Sequence, residues 1–403
     1  MIEPKLRFKA DDGSQFPDWE EKTLGDIGTA KMCKRVLKEQ TSENGDVPFY
    51  KIGTFGGTPD AFISRELYEE LKAKYSFPRK GNILLSAAGT IGRTVVYDGQ
   101  DAFFQDSNIV WLDNDDSVLD GFLLQFYNKT SWDNLEGGTI KRLYNGLFLS
   151  KVIHLPSLPE QQKIAEFLST IDTVIEKQKE TVSAWEECKK GVMQKLFSQE
   201  VGFKADDGSD FPDWEEKKLG DISVRVLVGL ATTVTPYYRK KGRPMFRNLN
   251  IKKGYLDDRD MLFLDEDYAD SQKNKAIHFG DILTVHTGNI GWSCLVPEKY
   301  EGALSFTTLI TTVKSNVVSN KYVCAFLNSP LGMNRMQNLA FSGGRANLNT
   351  SEFQKVQVPV PCLAEQRKIA DCLLSLDEVI EKQKSTLAAW EELKKGLLQQ
   401  MFV

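Results

Sequence analysis

The chain has 403 residues, 41% hydrophobic and 27% charged, with a net charge of -5, which describes an ordinary globular protein with room for two to four domains. No apolar run approaches the roughly 20 residues of a membrane span, and the opening MIEPKLRFKADDGS has no apolar signal core, so a cytoplasmic location is expected. The six cysteines show no CxxC spacing and the three histidines, His154, His278 and His286, include no i, i+4 pair, which argues against a metal centre.

In chain order, the first feature is the polar block FKADDGSQFPDWEEKTLGDI, Phe8 to Ile27. Helical patterning is predicted over Phe62 to Tyr75, and strand composition bounded by Gly, Asp and Asn over Asn82 to Ser86, Thr94 to Tyr97 and Ile109 to Leu112. A further helix is predicted over Val118 to Tyr127. From Glu160 onward Ile164, Leu168, Ile171, Ile175, Val182, Trp185, Val192 and Leu196 follow a 4-3-4 spacing, the seam of a coiled coil rather than the broad face of a core helix. Such a helix runs about 57 Å at 1.5 Å per residue, too long for one small domain to bury.

The series then begins again. FKADDGSDFPDWEEKKLGDI, Phe203 to Ile222, differs from the first block at two of 20 positions. EQQKIAEFLSTIDTVIEKQKETVSAWEECKKGVMQKLF, Glu160 to Phe197, returns at Glu365 to Phe402 with 23 of 38 positions identical. Its seam is Ile369, Leu373, Leu376, Ile380, Leu387, Trp390, Leu397 and Met401. Each long helix is the natural partner of the other, paired antiparallel. Gln178 and Lys189 interrupt one seam and Gln383 and Lys394 the other, polar positions of the kind that fix register unless the glutamines simply turn outward. The resulting division is a first domain at 1–158, a helix at 159–199, a second domain at 200–363 and a second helix at 364–403.

Between the matching blocks, the copies share a framework and differ in detail. GNILLSAAGTIG, Gly81 to Gly92, parallels GDILTVHTGNIG, Gly280 to Gly291, and LYNGLFLSKVIHLP, Leu143 to Pro156, parallels LNTSEFQKVQVPVP, Leu348 to Pro361. Strands are predicted at Ile282 to His286, Cys294 to Val296 and Leu309 to Val313, with a helix at Asn320 to Leu327. The expected class is therefore α+β: two mixed α/β domains, two long antiparallel coiled-coil helices and a pseudo-twofold internal repeat. A scaffold held fixed while its insert varies suggests one fold presenting two different surfaces.

This ordered set, two LGDI blocks, the paired Gly-rich turns, and LPSLPEQQKIAEFL against VPCLAEQRKIADCL, resembles the specificity subunits of type I restriction-modification systems over essentially the whole chain. The resemblance implies two target recognition domains, each reading half of a split double-stranded DNA site, with the helices setting the spacer. It implies docking of two methylation subunits and two restriction subunits. S-adenosylmethionine, ATP and Mg would serve those partners, and no cofactor would be bound by this chain, which would not itself be catalytic. The residues agree: there is no Asn-Pro-Pro-Tyr motif, no Gly-x-Gly cofactor loop and no GxxxxGK[ST] phosphate loop. PDWEEK at Pro17 to Lys22 and Pro212 to Lys217 places its acids too close together for a nuclease metal site and reads as scaffold. Other readings are a subunit of a methylation-only or switchable assembly, and a coiled-coil scaffold that binds no DNA.

The acidic average speaks against DNA, but positive charge is local: 31–100 and 224–300 each sum to about +3, while 106–136 sums to about -6. Contacts need cations for phosphates and amide, hydroxyl or guanidinium groups for base edges. In the first domain the candidates are Lys34, Arg35, Lys51, Arg79, Lys80, Arg93, Lys141, Arg142 and Tyr144. In the second, the run Tyr238, Arg239, Lys240, Lys241 and Arg243 is the densest basic patch, followed by Arg247, Asn248 and Lys252. His286, Thr287, Asn289 and Trp292 stand where the first copy has Ala87, Ala88, Thr90 and Arg93, and Arg345 and Asn347 answer Ile140 and Arg142. Unlike loops predict unlike half-sites. Trp19 and Trp214, flanked by acids in the shared block, are candidates to line a docking surface for the methylation subunits.

Overall fold

The computed structural model describes residues 4–132, 142–340 and 347–402. It divides into two compact units, Met1–Lys179 with Ser385–Val403, and Glu180–Lys384. Each unit therefore holds one globular domain, one end of the first long helix and one end of the second. No helix among the described residues is long and apolar enough to cross a membrane.

In the first unit the domain contains β1 (Glu20–Thr23), β2 (Gly28–Lys31), β3 (Val47–Tyr50), β4 (Phe62–Ile63), α1 (Arg65–Lys74), β5 (Ile83–Ser86), β6 (Thr94–Val96), β7 (Phe103–Phe104), β8 (Ile109–Asn114), α2 (Asp120–Lys129), α3 (Asn145–Leu149) and β9 (Val152–Leu155). The long helix α4 (Leu158–Phe197) follows. A four-stranded sheet runs β2-β8-β5-β6, all antiparallel, beside a three-stranded sheet β4-β3-β7 in which β3 and β7 are parallel. Strand β5 is buried on both faces. Alternation sends Ile83 and Leu85 into one core with α2 and α4, and Leu84 into another with Tyr68, Phe103 and Trp111.

The helix expected over Phe62 to Tyr75 begins later than its pattern suggests. Phe62 and Ile63 pair with Pro48 and Val47 as strand β4, and Ser64 caps α1 by accepting from the Leu67 amide at 3.2 Å. An N-cap hydroxyl satisfies an amide the helix leaves orphaned, so the chain turns helical there and not at the apolar pair before it.

The second unit repeats the plan with β10 (Glu215–Lys218), β11 (Ser223–Val228), β12 (Tyr238–Arg239), β13 (Arg243–Arg247), β14 (Leu262–Leu264), α5 (Glu266–Ser271), β15 (Ile282–Val285), β16 (Ser293–Leu295), β17 (Leu304–Phe306), β18 (Thr308–Val313), α6 (Asn320–Asn328), α7 (Pro330–Ala340), α8 (Thr350–Gln354), β19 (Gln357–Val360) and the long helix α9 (Leu363–Met401). Its sheets are β11-β18-β15-β16 and β12-β14-β13-β17, with β13 and β17 parallel.

The long helices are tied to their domains by the same devices in both units. Buried Gln161 accepts from the Leu119 amide at 2.9 Å and donates to the Ser117 and Pro156 carbonyls, both at 2.9 Å. Gln366 accepts from Ser319 N at 2.7 Å and donates to Val317 O and Pro361 O. A fully satisfied buried amide fixes a single docking geometry. Lys163 holds the first polar hairpin through Lys9 O at 2.8 Å and Asp11 at 2.5 Å, and Lys368 holds the second through Lys204 O and Asp206 at the same distances.

Trp19 and Trp214, expected to line a docking surface, each make a bond within their own unit. Their indole N–H groups donate to Glu160 Oε2 at 3.1 Å and Glu365 Oε2 at 2.9 Å, and both rings pack half-buried against the cores. The carboxylates are only 0% and 3% exposed, and a buried carboxylate requires donors, which these rings supply.

Within the first unit, Asp172 pairs with Lys394 and Lys179 faces Glu391, numbers rising along one helix and falling along the other, which defines an antiparallel pair. Ile164, Leu168, Ile171 and Ile175 share a core with Leu387, Trp390, Leu397 and Met401, and Phe402 stacks on Phe122 at 5.1 Å. In the second unit Lys189 pairs with Asp377 and Lys384 with Glu186 at 2.9 Å, again antiparallel. Phe197 packs edge-on to Phe326 at 5.4 Å.

Candidate nucleic-acid interface

The turn between β5 and β6 is the centre of the candidate surface in the first domain. Ser86 N donates to Arg93 O and Gly92 N to Ser86 O, both at 2.9 Å, closing a tight hairpin. Gly89 and Gly92 take φ of +64° and +86°, and a Cβ on Gly92 would lie 2.2 Å from Trp132 Cδ1, so the backbone approaches that ring as only glycine allows. Leu143 N donates to Ala87 O at 2.8 Å, and Ala88 bridges to Arg142, which carries the 142–144 segment to the turn.

The second domain builds the same frame from different residues. Val285 N donates to Trp292 O at 2.9 Å, Gly291 N to Val285 O at 2.8 Å, and Leu348 N to His286 O at 3.0 Å. Thus His286 occupies the place of Ala87 and Leu348 that of Leu143, hydrogen bond for hydrogen bond. Ahead of β8 and β18 each domain also carries a non-glycine residue in the left-handed region, Ser107 at φ +54° and Thr307 at φ +49°, a conformation that no sequence motif announced.

Several first-domain candidates gather around the turn. Arg93 Nη1 donates to Phe55 O at 2.6 Å, and Arg142 Nη2 to Ser107 O at 2.7 Å, with its guanidinium 6.0 Å from the ring of Tyr144, which is 61% exposed. Arg35 pairs with Asp106 at 2.9 Å, next to Ser107. Lys51, which pairs with Asp60 at 2.8 Å, opens the loop whose Ile52 lies against Gly89. Lys34 lies over the ring of Tyr75 at 4.8 Å. Arg79 and Lys80 precede β5, at the end opposite the turn, and Arg79 sits 3.9 Å from Asp120. Burial raises the Asp120 carboxyl above its usual range, and Arg79 opposes the shift. Lys141 lies outside the described residues.

In the second domain His286, Thr287, Asn248 and Asn347 form one chain: Asn248 Nδ2 donates to Thr287 Oγ1 at 3.0 Å, and His286 Nδ1 meets Asn347 Oδ1 at 2.8 Å. Asn289 is exposed in the same turn, and Arg247 donates to Asp260 O at 2.8 Å. Trp292 lies under Lys253 at 5.9 Å, a cation adjacent to Lys252 that the sequence reading passed over because only the fold sets it on the indole. Arg345 lies outside the described residues.

The basic run 238–243 stands at the other end of β13 from Arg247, and its two arginines are neutralised. Arg239 pairs with Asp265 at 3.1 Å, and Arg243 with Glu266 at 2.9 Å and Asp270 at 3.3 Å. Asp265 caps α5 by accepting from Tyr268 N at 3.2 Å, and acids are favoured at that helix end, so the arginines meet carboxylates already placed there. Tyr237, just before Tyr238, stacks on Tyr268 at 3.8 Å. Lys240 and Lys241 are exposed and make no ion pair among the described residues.

A tandem repeat that keeps one hydrogen-bonded frame and changes the side chains of one loop cluster is the build of a two-headed recognition protein. The chain belongs to the type I restriction modification DNA specificity domain family, whose pattern matches residues 17–183 and 212–388. It is 56% identical over 152 residues to a putative type I restriction enzyme specificity subunit of Haemophilus influenzae, a stretch that spans 38% of this chain and only 40% of that relative. It is 24% identical over 418 residues to the putative type I restriction enzyme MjaX specificity subunit of Methanocaldococcus jannaschii, covering 97% of this chain and 94% of the relative. The fold matches the crystal structure of a type I restriction-modification S subunit from M. genitalium with a TM-score of 0.59 at 17% identity, across 100% of this chain and 99% of that one.

Proposed function

We propose that this chain is the DNA-reading subunit of a type I restriction-modification complex, in which each domain reads one half of a bipartite site. The observation that carries the reading is the pair of equivalent bonds Leu143 N to Ala87 O and Leu348 N to His286 O, which hold two chemically different loops on one frame. Ala87, Ala88 and Arg93 on one side, and His286, Thr287 and Trp292 on the other, offer unlike groups to a groove, so the half-sites differ in sequence. The helices set the spacer and, with the shared blocks, dock two methylation subunits and two restriction subunits. Methyl transfer from S-adenosylmethionine and ATP- and Mg-dependent cleavage belong to those partners, in the cytoplasm.

The acidic balance fits such a subunit, since phosphate neutralisation can be shared with partners. The isolated chain is expected to bind duplex DNA weakly and the assembled complex tightly, which a gel-shift titration measures. The decisive experiment is adenine-methylation mapping in cells carrying the chain with its methylation partner. A split motif with unlike halves is expected. Identical halves, or no motif, would overturn the reading.

A further inference from the structure

Arg247 Nε, Asn248 Oδ1 and His286 Nε2 are buried polar atoms with no hydrogen-bond partner. Arg247 and Asn248 are consecutive, and Asn248 is bonded to Thr287, the chain neighbour of His286. Among the described residues of the second unit, Thr311 Oγ1 is the other buried side-chain atom left in this state. Buried polar groups are nearly always paired, so three unpaired ones on neighbouring residues call for an explanation.

We infer that Asn248 and His286 are the specificity-determining side chains of the second domain, selecting a base that presents an exocyclic amino N–H. The inference rests on the DNA-reading function proposed above. Its basis is the direction of the bonds already made. Asn347 Oδ1 can only accept, so in the neutral imidazole Nδ1 of His286 is the donor and Nε2 presents a lone pair. One Asn248 amide N–H is given to Thr287 Oγ1, while Oδ1 is a buried acceptor without a partner. These two acceptors, on side chains linked through Thr287, call for a donor, and the unpaired Arg247 Nε beside Asn248 calls for an acceptor. In the major groove the donors are the amino groups of adenine and cytosine, whereas guanine and thymine present acceptors. Both side chains are half-buried, and Thr287, Asn289 and Asn347 of the same loop cluster are exposed. The first domain has no counterpart: Ala87 and Ala88 hold the matching positions, and Arg142 donates to Ser107 O.

The test uses the full chain assembled with its methylation subunit. His286→Ala and Asn248→Ala are each expected to lower discrimination about tenfold at an adenine or cytosine of one half-site, leaving the other half-site unchanged. With the wild-type complex, duplexes carrying nebularine for adenine, or 2-pyrimidinone for cytosine, lack the amino group. Binding about tenfold weaker with one of them is expected and names the base. His286→Gln keeps an acceptor and should retain the motif. Unchanged discrimination by both alanine variants overturns the inference, as does undiminished wild-type binding to both amino-less duplexes, an arm that does not depend on any variant folding. Failure of the wild-type complex to methylate a split motif would instead sink the DNA-reading function itself.

Discussion

Arg7 closes a two-pronged ion pair on buried Glu160, Nε to Oε1 at 3.0 Å and Nη2 to Oε2 at 2.8 Å, and the second copy has no equivalent. The residue aligned with Arg7 is Gly202, whose Cβ position lies 3.8 Å from Glu365 Oε1. Removing one member of a buried pair leaves the other uncompensated, so Arg7→Ala should destabilise the first unit by about 3 kcal/mol. Gly202→Arg should restore the missing partner and raise the melting temperature of the second unit. Calorimetry checks both, and a stabilising Arg7→Ala or a destabilising Gly202→Arg contradicts the account.

The same asymmetry predicts a pH dependence. Burial raises the Glu365 carboxyl above its ordinary value of 4.5, and the bonds from Trp214 and the Phe203 amide only partly oppose this. A carboxyl raised in the folded state binds its proton more tightly folded than unfolded. Its favourable contribution is complete below the unfolded value and is lost as pH rises through the folded one. Glu365→Gln should therefore match wild type near pH 4 and equal or exceed it at pH 7. A wild-type advantage that grows with pH in denaturant unfolding would reverse the sign.

Lys394–Asp172 and Lys189–Asp377 occupy equivalent places in the two seams. Asp172 also accepts from Gln125 Nε2 at 3.0 Å, whereas the position matching Gln125 is Ala325. Reversing one charge alone should cost about 1 kcal/mol or more in either unit. Swapping both, Lys189→Asp with Asp377→Lys, should recover most of the loss, and Lys394→Asp with Asp172→Lys should recover as much, because Gln125 can turn its amide and offer Oε1, unpartnered in the native fold, to the new ammonium. Clearly poorer recovery at the Asp172 site in a double-mutant comparison would show that Gln125 cannot turn.

Gly92→Ala and Gly291→Ala test the two turns against each other. Both residues sit at positive φ, +86° and +91°. The added Cβ meets the Trp132 indole at 2.2 Å in one case and the flexible end of Met336 at 2.8 Å in the other. An indole cannot yield as a methionine tip can, so Gly92→Ala should lower stability more, by about 2 kcal/mol or above against about 1. The reverse order in thermal unfolding would show the wrong neighbour has been blamed.

The seam and the repeat were readable because they are periodic: Ile164, Leu168, Ile171 and Ile175 declare a buried stripe through spacing alone. The loop pairing was readable from the copies, since aligning Gly81 to Gly92 with Gly280 to Gly291 sets His286 on Ala87 before any coordinate is known. What depended on tertiary approach was hidden. Arg239 and Arg243 read as free cations because Asp265, Glu266 and Asp270 lie more than 20 residues away and only sheet pairing brings them close. The bond from Trp19 to Glu160 was equally out of sight, because the two residues are 141 positions apart.

That hidden neutralisation separates two kinds of basic residue in the second domain. Lys240 and Lys241 are exposed without ion-pair partners among the described residues, whereas Arg243 is bound to Glu266, Asp270 and the Gly302 carbonyl at 3.0 Å. If the free lysines contact phosphates, Lys240→Ala and Lys241→Ala should weaken DNA binding by the assembled complex about uniformly across sequences. Each should also reduce the slope of log K against log salt by about 1. Arg243→Ala should leave that slope unchanged and lower the stability of the β12–β14 sheet instead. Salt titrations of wild type and the three variants decide the matter: a reduced slope for Arg243→Ala, or unaltered slopes for both lysine variants, would show that the ion pairs open on DNA and that the charge of the whole run is used.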